Sequence, residues 1–155
     1  MISDKLADFV HGPVIGFVGT RDSRLRPEVT WAFGARVLAA SDEITTFVPD
    51  IEIDRTRSNL AHNGIVAYTV VAPVTHESYQ FKGQLVSLRP TTEEEQAVQD
   101  ILISKLVSQL PSFPPELFGG YITAPSTALT FRVEQVFVQT PGPGAGRQLD
   151  LSEEA

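Results

Sequence analysis

The sequence predicts a mainly β (α+β) fold, a six-stranded antiparallel barrel, closed or nearly closed, with peripheral helices. Three observations carry that reading. Six segments have strand character, and many are joined by turns of hairpin length. Helical spacing is confined to two peripheral segments and one short connector, so strands dominate. One strand, residues 65–72, is apolar on both faces, as expected for a strand inside a barrel and beneath a further layer.

Taken in order, residues 2–11 read as a short amphipathic helix with Ile2, Leu6, Phe9 and Val10 on one side, stopped by Gly12-Pro13. Residues 14–20 form an apolar strand, and Asp22-Ser23 with Pro27 supply the next turn. A second strand spans residues 28–39 and is broken at Gly34; Ser41-Asp42 turns the chain into a third, residues 44–48. Asp54 is the expected N-cap of a short helix running to Asn63-Gly64. The fourth strand places Ile65, Ala67 and Val71 on one face and Val66, Tyr68 and Val70 on the other. Residues 78–88 alternate more sharply, with Tyr79, Phe81 and Leu85 opposite Gln80, Lys82 and Gln84. After Pro90, Thr91 with Glu94 and Thr92 with Glu95 offer overlapping capping boxes. The helix that follows packs through Val98, Ile101, Leu102, Leu106 and Leu110, and Pro111, Pro114 and Pro115 close it. Residues 127–138 make the last strand, with Leu129, Phe131 and Val133 inward and Thr130, Arg132 and Glu134 outward. The division is therefore one domain over residues 1–140 and a flexible Pro/Gly-rich, acidic tail over 141–155, where Asp150, Glu153 and Glu154 outnumber Arg147.

Bulk properties exclude several functions. A chain of 155 residues buries a genuine core, and a net charge of −7 argues against nucleic acid or an anionic membrane as the partner. The absence of cysteine rules out disulfides, thiolate metal ligands and a Cys nucleophile. No signal peptide and no membrane-length apolar run is visible, so the expected compartment is the cytoplasm. His11, His62 and His76 are too scattered for a local metal motif, and neither a P-loop, a dinucleotide fingerprint nor a Gly-x-Ser-x-Gly elbow occurs. Arg21, Arg24 and Arg26 read as solvated loop charge, and Glu93 to Glu95 as dipole complements in a helix first turn. With no nucleophile, general base or metal in view, any chemistry falls to a bound cofactor.

The most informative segment is Asp54-Arg55-Thr56-Arg57-Ser58-Asn59-Leu60. Two arginines in a helix first turn oppose the macrodipole, whose N-terminal end is positive. Two readings remain open: both side chains reach into solvent, or an anion such as a phosphate sits between them on free backbone N–H groups.

Several runs in order, Gly12-Pro13-Val14-Ile15-Gly16-Phe17-Val18-Gly19-Thr20, Arg26-Pro27-Glu28-Val29, Thr46-Phe47-Val48, Arg55 to Asn63, and Tyr79-Gln80-Phe81-Lys82-Gly83, resemble the pyridoxamine 5'-phosphate oxidase-like family. The resemblance covers roughly residues 5–89 and rests on order and spacing. It implies an FMN-binding split β-barrel, a homodimer with flavin at the subunit interface, and an oxidoreductase acting on a small organic substrate. By that analogy Arg55, Thr56 and Arg57 hold the FMN phosphate, while Phe47 and Val48 lie beside the isoalloxazine. Val29, Thr30 and Trp31 line its other edge, and Gln80 and Lys82 reach the cofactor from a later strand. Thr56 stands where the family often carries lysine, and the basic C-terminal motif of true pyridoxamine phosphate oxidases is absent from 139–144. The alternatives are a deazaflavin or haem in place of FMN, and a non-catalytic binding or sensing module of the same fold.

Overall fold

Three helices and eight strands follow one another in the computed structural model, which describes residues 1–38, 40–110 and 123–152. In chain order they are α1 (Asp4–His11), β1 (Ile15–Arg21), β2 (Pro27–Ala32), β3 (Ala35–Val37), β4 (Glu43–Pro49), α2 (Ile53–Asn63), β5 (Ile65–Val71), β6 (Ser78–Pro90), α3 (Glu93–Gln109), β7 (Ser126–Val138) and β8 (Gln148–Leu149). Ala39, Pro111, Pro114, Pro115, Glu153 and Glu154, which the sequence reading assigned to a strand end, a helix stop and the acidic tail, lie outside the described residues.

All strands pair antiparallel in one sheet of order β2-β1-β5-β6-β7-β4-β3, with β8 added to β7. Strands β2 and β3, adjacent in sequence, therefore occupy opposite ends of the sheet. Only Phe33 and Gly34 join them, a span of roughly 10 Å at full extension. The sheet must curl until its ends nearly meet, and Phe33 N donates to Phe47 O at 2.9 Å across the seam. No ladder runs between β2 and β3, so the barrel is split rather than closed. Gly34 makes the corner with φ of 86°, in the left-handed region where a side chain strains the backbone.

The barrel interior is filled by alternate residues: Val18 from β1, Ile44 and Val48 from β4, Val66, Tyr68 and Val70 from β5, Phe81 from β6, and Leu129, Phe131 and Val136 from β7. Burial pushes the Tyr68 phenol up to about 12, so it is a neutral donor and acceptor in the core. Beta-6 and β7 are 13 residues each and slip register at Lys82/Gly83, where Gly83 lies against the carbonyl of Arg132.

Several expectations change in detail. The broken second strand is two strands, and β8 is an eighth within the segment expected as a flexible tail; Leu149 is buried and Ser3 N donates to Leu151 O at 2.9 Å. Thr130, on the face opposite Leu129 and Phe131 as expected, is nevertheless buried, and its hydroxyl meets that of Thr45 at 2.7 Å. On α3 Ile101 is exposed, and the buried face instead includes Gln99, satisfied on one side by Ser126 Oγ at 2.9 Å. Strand β5 buries Val66, Tyr68 and Val70, but Ile65, Ala67 and Val71 on its second face are only partly covered within one chain.

Of the two possible capping boxes, the one formed is Thr92 with Glu95. Glu95 is buried and also takes a two-pronged bond from Arg89, at 2.8 and 2.6 Å. The Arg89 guanidinium, followed by the Thr92 N–H, holds the Glu95 carboxyl down at about 2. A lowered folded-state pKa gives stability that is complete above the unfolded value near 4.3 and is lost as pH falls towards 2. Because Arg89 is half exposed, the contribution is discounted to about 2 kcal/mol. Glu95→Gln is expected to remove it at neutral pH and to flatten the acid limb of stability, measured by urea unfolding at a series of pH values.

Candidate functional site

Helix α2 sets the geometry. It starts at Ile53, and the N-cap is Glu52 rather than Asp54, which sits in the first turn where its charge suits the dipole. Glu52 does not cap with its side chain. Its carboxylate crosses to β2, where Oε2 accepts from Thr30 Oγ1 at 2.5 Å and from Trp31 N at 3.4 Å.

Arg55, Thr56 and Arg57 leave the helix about 100° apart, so their side chains start on different faces of α2. Arg55 is exposed and its Nη1 donates to Glu28 Oε2 at 3.0 Å. Thr56 points into the protein, is fully buried, and its hydroxyl has no hydrogen-bond partner among the described residues. Arg57 is exposed and makes no ion pair or hydrogen bond among the described residues. Thr56→Val is therefore expected to raise stability by about 1 kcal/mol, since an unpaired buried hydroxyl is replaced by an isosteric methyl. Thermal unfolding of the two proteins measures it, and a loss of stability would mean the hydroxyl has a partner.

What α2 and β2 enclose is a two-part groove. One cavity of about 440 Å³ is lined by Asp22, Arg26, Pro27, Glu28, Arg55, Ser58 and Asn59. A second of about 440 Å³ is lined by Glu28, Val29, Thr30, Trp31, Ile51, Glu52, Asp54 and Arg55. They share Glu28 and Arg55 and follow β2 over roughly 17 Å, the length of six strand residues. The first end carries two guanidiniums and the Ser58 hydroxyl. Each arginine rests on a carboxylate: Arg26 Nε on Asp22 Oδ2 at 2.7 Å, and Arg55 on Glu28. The N–H of Arg26, then its side chain and the N–H of Arg24, keep Asp22 below the usual carboxylate range. Asn59 is committed to Thr20 Oγ1 at 3.0 Å. The far end is aromatic: Trp31 packs on Phe17 with centroids 4.7 Å apart and stacks with Phe33 at 6.2 Å. The three carboxylates of the second cavity do not cluster into a metal site; among the described residues no such cluster exists.

The other sequence-assigned residues lie elsewhere. Phe47 and Val48 are fully buried core residues of β4. Gln80 and Lys82 share the outer sheet face with the groove strand but stand three strands away, about 14 Å across the ladder. Pairing aligns Trp31, Phe17, Thr69, Gln80 and Phe137 in one row and Val29, Gly19, Ala67, Lys82 and Gln135 in the next. Gln80 Nε2 donates to Thr69 Oγ1 at 3.0 Å, and Lys82 Nζ lies 4.6 Å from the Phe137 ring centroid. Within one chain the structure thus brings Val29, Thr30, Trp31 and Arg55 together and leaves Thr56, Arg57, Phe47, Val48, Gln80 and Lys82 outside.

Arg26, Glu28, Glu52 and Ser58 were not foreseen in the groove. Arg26-Pro27 opening the strand that carries Val29 to Trp31 was an available signal for two of them. The Glu52 bond to Thr30 spans 22 positions and leaves no local trace.

No protein-family model and no curated protein matches the sequence. Solved structures do match. The chain is similar to an FMN-binding protein from Syntrophomonas wolfei subsp. wolfei, with a TM-score of 0.54 and 13% identity, over 87% of this chain and 84% of that one. It is similar to a Clostridium acetobutylicum protein related to general stress protein 26, of the pyridoxinephosphate oxidase family, with a TM-score of 0.50 and 14% identity, over 88% and 84% of the two chains. A heme-binding protein from Mycobacterium smegmatis gives a TM-score of 0.53 and 17% identity, over 95% of this chain and 57% of that one. At such identities the likeness is one of fold, and the fold is the pyridoxamine 5'-phosphate oxidase-like split β-barrel.

Proposed function

We propose that this chain is a flavoprotein that binds FMN in the β2–α2 groove, works as a homodimer in the cytoplasm, and serves as an oxidoreductase for a small organic substrate. The observation that carries the reading is the polarity of the groove, with guanidiniums and a hydroxyl at one end and an indole at the other. Its donor set fits the group. Arg26, Arg55 and Ser58 would hold the phosphate, which must displace Asp22 and Glu28 from the arginines. Glu28 and Glu52 offer acceptors for a polyol chain, and Val29 and Trp31 offer apolar surface to a planar ring. Bound flavin accepts or donates a hydride; the protein binds and orients it. The partner protomer enters because Ile65, Ala67, Val71 and Val29 leave an apolar outer face only partly covered. A dimer on that face is how Gln80 and Lys82, three strands from the groove, would reach a cofactor.

A second reading is a binding or sensing module without turnover. It is favoured by the groove polar groups being engaged with each other, Glu52 with Thr30 and Glu28 with Arg55. Flavin or deazaflavin suits the groove better than haem, because no histidine is among the residues that line it.

The deciding experiment is the visible spectrum of the purified protein followed by FMN titration, with sedimentation velocity on the same sample. A flavin band or saturable binding by a dimer supports the proposal. A colourless, monomeric protein whose spectrum and melting temperature ignore FMN would overturn it.

A further inference from the structure

We propose a second ligand site, for a small monocarboxylate with an apolar body, in the cavity enclosed by α1, β3 and α3. The cavity measures about 320 Å³ and shares no lining residue with the flavin groove. That volume is at the lower end for organic ligands and suits a body of about ten non-hydrogen atoms. Its walls are apolar, with Val98, Ile101 and Leu102 of α3 on one side. Ile101 is 55% exposed while its neighbour Leu102 is buried, so an apolar side chain stands at the mouth, uncovered among the described residues.

The polar lining is one-signed. In a chain of net charge −7, the described residues that line this cavity include Arg36 and Lys105 and no carboxylate. Lys105, one turn beyond Ile101, has no ion pair or hydrogen bond among the described residues. Arg36 pairs with Glu94 at 3.0 Å, but that glutamate is 80% exposed, so the bond is weak and exchangeable. His11 is fixed by Val37 N, which donates to its Nε2 at 3.0 Å. A ring accepting through Nε2 carries its proton on Nδ1, which leaves a third, neutral donor at the rim. Apolar walls select against inorganic anions, and the cations select against neutral hydrocarbons of the same size. The combination specifies an aliphatic or aryl carboxylate.

The probe is sodium octanoate titrated into the full chain by isothermal calorimetry, with circular dichroism to confirm that each variant is folded. Saturable binding at one site per chain is expected. Lys105→Glu, at an exposed helical position, should weaken it at least about tenfold, and 1-octanol should bind about tenfold less tightly than octanoate. Val98→Phe, which fills the cavity, should abolish binding, while Arg55→Ala in the flavin groove should leave it unchanged. No saturable binding up to about 10 mM octanoate would overturn the proposal. So would weakening by Lys105→Glu without any loss in Val98→Phe, which would assign the carboxylate to surface charge alone. The Arg55→Ala arm separates failure here from failure of the flavin reading.

Discussion

Gly83→Ala is expected to cost about 4 kcal/mol or to prevent folding altogether, the largest effect of a methyl added at any described glycine. A Cβ at residue 83 would stand 1.8 Å from the Arg132 carbonyl oxygen and 2.8 Å from its carbon. Both are backbone, so no side chain can rotate out of the way. The contact falls where β6 and β7 slip register, between Lys82 and Gly83, and these two strands form the longest ladder of the barrel. Relief would require moving the ladder that carries Phe81, Phe131 and Val133 into the core. Gly19→Ala is the control: its nearest neighbours would be 3.5 Å away, an ordinary contact. Urea denaturation of both variants tests the contrast, and equal stabilities would show that the strands can separate there.

Arg26→Ala combined with Arg55→Ala is expected to weaken FMN about 100-fold or more, whereas Arg57→Ala stays within about twofold. Each arginine that bonds a phosphate contributes roughly 1.5–3 kcal/mol through charge-assisted hydrogen bonds. The sequence alone treats Arg55 and Arg57 alike. The structure separates them: Arg55 lines both parts of the groove, and Arg57 lines neither. Fluorescence titration with FMN measures the three affinities. A loss on Arg57→Ala equal to that of the double variant would place the phosphate across the helix face, away from β2.

Most of the barrel was legible because alternation is a local signal. Tyr79 and Phe81 against Gln80 and Lys82, or Val66 and Tyr68 between half-exposed neighbours, show their faces within a few residues. The break at Gly34 was also visible. Its consequence was not, since nothing in Phe33-Gly34 says that the next three residues join the opposite end of the sheet. Two residues of β8 beyond a Pro/Gly run are too short to carry periodicity, and they are placed by Leu149 finding the core. In the site, the segment containing Arg55 was recognisable, but the helix start was misplaced by two residues, because Glu52 bonds across to β2 instead of capping. Thr56 lies on the inner face of the helix with Ile53, Asn59 and Leu60. Buried polar residues such as Thr130 and Gln99 escaped for the same reason: their partners, Thr45 and Ser126, are distant in sequence.

A split barrel has two free strand edges, and a free edge is a template on which another chain can grow a sheet. Here both are blunted by groups already described. Along β2, Pro27 has no N–H to offer, Glu52 occupies that of Trp31, and Phe47 O takes that of Phe33. Beta-3 is three residues long, and His11 takes the N–H of Val37. Residues that line the cavities therefore also guard the seam, so Glu52 and His11 protect it from edge-to-edge aggregation.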